Sequence, residues 1–296
     1  MNKLKTETRH PDTYELDKLS TGEILRIMNH EDKLVPDMVE DALPFIEPLV
    51  EAAEVSIRQG GRLIYVGAGT SGRLAILDAA ECPPTFGTEP ETVQGIIAGG
   101  KDALLTAVEG AEDSESLGAS DLEEIKLTSR DIVIGLAASG RTPYVAGALR
   151  YARRAGAITG SISCNQDSKI SAIADYPVEV VTGPEILTGS TRLKAGTAQK
   201  NILNMISTVT MIKLGKVYEN FMVDVQATNQ KLARRSTGMI QDITGVDDQT
   251  AASVFEASGR HVKTAIVMIL ADTTSSGAAV LLEQSQGRVR EAITNK

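Results

Sequence analysis

Five short apolar runs constrain this chain more than any other feature: LIYV at 63–66, TVQGII at 92–97, IVIGLA at 132–137, AITGSIS at 157–163 and PVEVV at 177–181. They show little polar alternation, the pattern of parallel strands covered on both faces. Parallel neighbours need a crossover, usually helical, and the stretches 71–80 and 143–155 suit that role. The pattern predicts an α/β fold, a doubly wound parallel sheet. Ahead of it, helices are expected over 21–28 and 35–59, the second interrupted near Pro44 and Pro48. Residues 1–20 are polar, contain Pro11, and read as an arm rather than a packed element.

Beyond the last strand, residues 191–216 form a long stretch rich in Ala, Leu, Ile and Met, expected as one broadly packed helix. From about Val223 the character changes. GVDDQTAASVFEASG offers a cap at Asp247 or Asp248, and 262–270 and 277–284 give two further short helices. The predicted organisation is a domain over 1–222, with its N-terminal helical arm, followed by a small helical bundle over 223–296.

With 296 residues the chain can bury a sizeable core. Its net charge of -9 and scattered basic residues argue against a nucleic-acid partner. No run approaches the roughly 18 apolar residues of a membrane span, and the polar start MNKLKTETRHPD has no apolar signal core. The expectation is a cytoplasmic protein without membrane contact. Cys82 and Cys164 form no CxxC pair, and His10, His30 and His261 sit in no metal-ligand spacing, so neither a catalytic metal nor a cofactor is expected.

Two turns carry the chemistry. GAGTSGR at 67–73 joins the first strand to a helix, so free N–H groups and the positive end of the helix dipole converge there. Gly67, Gly69 and Gly72 also match the dinucleotide pattern GxGxxG, but the next strand ends in Ala98-Gly99-Gly100, without the acid that would hold a ribose. Thr70 and Ser71 add hydroxyl donors suited to a terminal phosphate. AASGRTPY at 137–144 repeats the logic with Ser139, Gly140 and Thr142, and two such turns on one sheet edge make a monophosphate site. Each turn alone reads equally as a capped strand-to-helix junction. A third segment, 183–200, places Glu185 before a hydroxyl cluster of Thr188, Ser190 and Thr191; Arg192 and Lys194 read either as partners of the anion or as solvated helix residues.

The paired turns resemble the sugar isomerase (SIS) domain, which implies a flavodoxin-like parallel sheet that binds phosphosugars. A closer resemblance rests on GRLIYVGAGTSGRLAILDAAECPPTFG, AVEGAEDS, AASGRTPY, TGSTRLKAGTAQK and MVDVQATNQKL, in that order. Together they are similar to the N-acetylmuramic acid 6-phosphate etherase family, from roughly Leu19 to Leu270, and the C-terminal bundle is similar to that family's small UBA-like domain. The resemblance implies loss of the 3-O-lactyl ether of the sugar by elimination and hydration, in a homodimer. It places the two catalytic carboxylates on Glu81, as proton donor to lactate, and on Glu112, as partner base. From the residues alone Glu109 competes with Glu112, one helical turn away. Pro83 and Pro84 are expected to end the first helix near Glu81, where a helix C-terminus and burial both disfavour negative charge and suit a donor. Cys82 reads as a packed thiol, His261 and Lys263 as packing or surface residues. Two other classes share the architecture: phosphosugar-binding regulators without catalysis, and aldose-ketose isomerases, which also take a proton from C2.

Overall fold

The computed structural model describes residues 4–225 and 230–294, with the side chains of Gln230 and Lys231 left aside. Gln226–Asn229, within the MVDVQATNQKL motif, and the first three residues of the N-terminal arm lie outside the described residues. The Cα packing forms two compact units, one of residues 1–80 and 90–207, the other of 81–89 and 208–296. The first division in chain order therefore falls earlier than the change of character expected near 223.

In the first unit the chain begins with α1 (Thr21–Lys33), α2 (Val35–Glu40) and α3 (Leu43–Arg58). Ser20 and Glu23 form a capping box at the start of α1, which runs past the expected end at Met28. The break in the second expected helix falls just before Leu43, so Pro44 occupies the first turn of α3, where a missing N–H is harmless; Pro48 lies inside α3 without ending it. Alternating strands and helices follow: β1 (Leu63–Gly67), α4 (Gly69–Phe86), β2 (Val93–Ile97), α5 (Glu115–Glu124), β3 (Ile132–Ala137), α6 (Pro143–Arg154), β4 (Ile158–Ser163), β5 (Tyr176–Glu179) and α7 (Lys194–Lys213).

The sheet is parallel throughout with strand order β2-β1-β3-β4-β5, the expected doubly wound, flavodoxin-like arrangement. Leu63 of β1 pairs with Val93 on one side and Ile132 on the other. Every residue of β1 and β3 is buried, which explains their unalternated sequences. Ile64, Val66 and Val133 pack with Tyr144, Val145 and Leu149 of α6 in the core on one face. Two glycines let α5 and α6 meet closely: a Cβ at Gly118 would stand 2.1 Å from the Tyr144 carbonyl oxygen, and one at Gly147 2.0 Å from that of Glu115.

The N-terminal arm is packed, against expectation. Thr6, His10 and Thr13 are buried. Asn165 Oδ1 accepts from the Thr6 N–H, and the Thr13 hydroxyl donates to the Ile186 carbonyl. Hydrogen bonds rather than an apolar stripe hold the segment, so it leaves no periodicity to read.

The second unit contains a short antiparallel pair, β6 (Val217–Tyr218) and β7 (Phe221–Met222), then α8 (Gln230–Thr244), α9 (Asp248–Ala257), α10 (Val262–Leu270), α11 (Ser275–Gln284) and α12 (Val289–Thr294). Asp247 caps α9 by accepting from the Thr250 N–H, one of the two expected caps. Ile240, Phe255, Ile266 and Val267 are central to its core. The helical C-terminal region is as expected, although α8 and α12 were not anticipated. Among the described residues no single helix is long and apolar enough to cross a membrane.

Candidate active site

The strand order reverses between β1 and β3, whose ends lie side by side with Gly67 opposite Leu136. Ligands of open α/β sheets gather outside the carboxyl ends of the strands at such a switch point. Both hydroxyl-bearing turns leave the sheet there.

The first turn is tightly built. A Cβ at Gly67 would stand 2.7 Å from the Gly72 nitrogen, and one at Gly72 would stand 2.5 Å from Ile97 Cγ1 and 2.8 Å from the Gly67 carbonyl oxygen. Gly69 takes a positive φ of 53° and opens α4 with no atom within 4 Å of its Cβ position. The first-turn N–H groups of α4, those of Thr70 and Ser71 among them, have no acceptor within the helix. Ser71 is buried and donates to Gln199 Oε1 at 2.8 Å. Thr70 packs near the start of α7, its Cγ2 3.6 Å from the Cβ position of Gly196.

In the second turn Gly140 has φ 67°, and a Cβ there would stand 2.3 Å from Ser168 Cβ. Ser139 Oγ accepts from the Arg141 N–H at 3.2 Å. Thr142 stands at the N-cap of α6 without using its hydroxyl as a cap. Both hydroxyls are partly exposed.

A cavity of about 270 Å³ opens beside the first turn, lined by Ala68, Gly69, Arg73, Ala98, Glu109, Gly110 and Glu112 together with residues 103, 107 and 108. Arg73 is fixed on its wall, Nε donating to the Leu104 carbonyl at 2.9 Å and Nη2 to that of Ala103 at 2.8 Å. Gly110, with φ 75°, turns the chain into the short helix Ala111–Asp113 that carries Glu112. One chamber thus joins the start of α4, a guanidinium and two carboxylates. It brings Glu109 to the first turn along with Glu112. Arg73 was not among the expected site residues; its signal was its place one turn into the helix that GAGTSGR begins.

In the third segment, Glu185 and Lys194 are engaged with the protein itself. Glu185 is fully buried and caps α7, its two oxygens accepting from the N–H groups of Lys194 and Ala195 at 3.0 Å each. Burial raises its pKa in spite of those bonds. Lys194 is buried too, and its Nζ donates to Glu31, which also meets His10 Nε2 at 3.3 Å. Burial pushes the Glu31 carboxyl up, but the Lys194 hydrogen bond and charge, with His10, outweigh it and hold the group below its ordinary value. Ser190 and Thr191 stand in a turn just before α7, partly exposed, and Arg192 is exposed. The sequence could not show that Lys194 has a partner 163 positions away.

Glu81 corrects another expectation. α4 does not end at the prolines: Pro83 and Pro84 lie inside it and it runs to Phe86, closing with Gly87 at φ 60°. Two prolines remove two donors from the ladder, yet Cys82 and Phe86 on the same stretch are buried, and their burial offsets the lost bonds. Glu81 is exposed and more than a turn before the helix end, neither buried nor at the helix terminus as expected. By packing it belongs to the second unit.

The fold and the turns define a class first, the SIS domain: residues 46–153 match the model of the glucokinase regulatory protein N-terminal SIS domain. A phosphoheptose isomerase from Neisseria gonorrhoeae shares the fold, with a TM-score of 0.50 at 17% identity over 64% of this chain and 98% of that one. Over 293 residues the chain is 60% identical to the N-acetylmuramic acid 6-phosphate etherase of an Exiguobacterium species, covering 99% of this chain and 100% of that one. It is 53% identical to the Bacillus subtilis protein of that name, with 99% and 96% covered, and 52% identical to the Klebsiella aerogenes protein, with 100% and 98% covered. The chain belongs to the N-acetylmuramic acid 6-phosphate etherase family.

Proposed function

We propose that the protein is a lyase that cleaves the D-lactyl ether of N-acetylmuramic acid 6-phosphate, giving N-acetylglucosamine 6-phosphate and D-lactate, in cell-wall recycling. The observation that carries this reading is the single chamber that joins the anion-attracting start of α4 to the carboxylate of Glu112. The phosphate is held by the N–H groups and hydroxyls of Gly69, Thr70 and Ser71, with Ser139, Gly140 and Thr142 of the second turn and Ser190 and Thr191 before α7. Glu185 and Lys194 act behind them, by fixing the start of α7.

With the sugar ring open, the C2 proton lies next to an aldehyde and is acidic enough for a carboxylate base. Glu112 takes that proton. The C2–H electron pair forms the C2=C3 double bond, the C3–O bond breaks, and Glu81 protonates the departing lactate oxygen. Water, deprotonated by the carboxylate, then adds its hydroxyl at C3 while C2 regains a proton. Two carboxylates in opposite protonation states account for every proton moved.

Catalysis belongs to residues 1–222 in this reading, with 223–296 as an appended small domain, in a cytoplasmic homodimer whose partner is the phosphosugar alone. Incubating the protein with its substrate in water enriched in the heavy oxygen isotope tests the chemistry. Elimination and hydration put the label on the C3 hydroxyl of the sugar and leave D-lactate unlabelled. Labelled lactate would reject the mechanism, and the absence of lactate would reject the activity. Glu81→Gln should lower lactate release by about 100-fold or more while phosphosugar binding persists; unchanged turnover would remove Glu81 from the reaction.

A further inference from the structure

Helix α7 lays two positions against the first turn. Gly196 faces Thr70, and Gln199, three residues on and so on the same face, reaches Ser71, whose Oγ donates to Gln199 Oε1 at 2.8 Å. Ser71 is 7% exposed and Gln199 1%. The other amide atom, Gln199 Nε2, is buried with no hydrogen-bond partner. A donor withdrawn from water and left unpaired is unfavourable, and this one stands beside the first turn of an 18-residue helix whose N–H groups attract an anion.

A hydroxyl has one proton to give and two lone pairs, whereas an ionised phosphate ester only accepts. With its proton directed at Gln199 Oε1, Ser71 has none to offer a phosphate oxygen. Turning the amide over about the Cγ–Cδ bond, a soft torsion of two-fold character, exchanges oxygen and nitrogen without altering the space the side chain fills. Nε2 then donates to Ser71 Oγ, and the hydroxyl proton is released. The atom left unpaired becomes a carbonyl oxygen, which interiors tolerate better than an orphaned N–H.

We propose that Gln199 is a positioning residue of the phosphate turn, and that its amide turns over as the phosphate arrives, passing the Ser71 proton from Gln199 to the ligand. No covalent bond forms or breaks. The inference rests on the reading of this turn as a phosphosugar site and adds the group that readies it.

The test follows the Gln199 side-chain amide by nuclear magnetic resonance, its signal identified by loss in Gln199→Met, during titration of the full chain with inorganic phosphate and with N-acetylglucosamine 6-phosphate. The signal should move in step with saturation in the unaltered protein and stay still in saturated Ser71→Ala. An unmoved signal in the saturated unaltered protein, or the same movement in Ser71→Ala, overturns the inference. A second arm uses Gln199→Glu, which can only accept from Ser71: affinity should fall roughly 30-fold, and by much less in a Ser71→Ala background. Equal losses in both backgrounds would mean charge repulsion and overturn the inference. Lactate release with an unmoved amide would sink this inference and leave the etherase reading intact. A phosphate-driven shift in a protein that releases no lactate would do the reverse.

Discussion

At Gly72 the first turn has no room for a side chain. Gly72→Ala would force a methyl group to within 2.5 Å of Ile97 Cγ1 and 2.8 Å of the Gly67 carbonyl oxygen, and should destabilise the fold by about 2 kcal/mol. Gly69→Ala meets open space and only an unfavourable φ, so it should cost about 1 kcal/mol. Calorimetric melting of the two variants checks the order. The chamber holds Glu109 and Glu112 alike, so chemistry must separate them. Glu112→Gln should reduce lactate release by about 100-fold or more, the loss expected of a general base, whereas Glu109→Gln should leave it within about fivefold; the reverse order would hand the role to Glu109. The close-packed glycines of the two turns were legible because each lies in a contiguous motif. Gln199 and the buried Glu31–Lys194 pair were not, because their meaning arises only from partners distant in sequence.

The sheet is tied at its amino edge by one buried carboxylate. Asp131, just before β3, accepts from the backbone N–H and the guanidinium of Arg62, just before β1, and from the Thr128 N–H. Burial pushes its pKa up, but the Arg62 and Thr128 hydrogen bonds outweigh this and hold it below the ordinary carboxylate value. A depressed folded pKa contributes stability that is present above the unfolded value, about 3.9, and is lost as pH falls through the folded value. Asp131→Asn should therefore be less stable than the unaltered protein by about 3 kcal/mol near neutrality, and the gap should narrow on acidification below about pH 4; urea midpoints at several pH values measure it. Strand positions were readable almost to the residue, since short, largely unalternated apolar runs between turns allow little else. Helix ends were not: α1 runs past the expected end at Met28, and α4 runs past its proline pair, where the burial of Cys82 and Phe86 offsets the lost bonds.

At the scale of the whole chain, the parallel topology followed from the alternation of runs and crossovers, and the helical C-terminal unit from the change of pattern near Val223. The packing of residues 81–89 with the second unit had no sequence signal, because residues 81–86 continue α4 without a break. If the chain pairs as proposed, sedimentation equilibrium should return twice the mass of one chain, and a single-chain mass would remove the homodimer. The two compact units divide within α4 and within α7, and a third time after residue 89, between α4 and β2. A protease seeking a flexible hinge finds a hydrogen-bonded helix at the two borders within α4 and α7, and a recombination event there would splice half-helices. A polypeptide ending at residue 207 would leave α7 without its last turns.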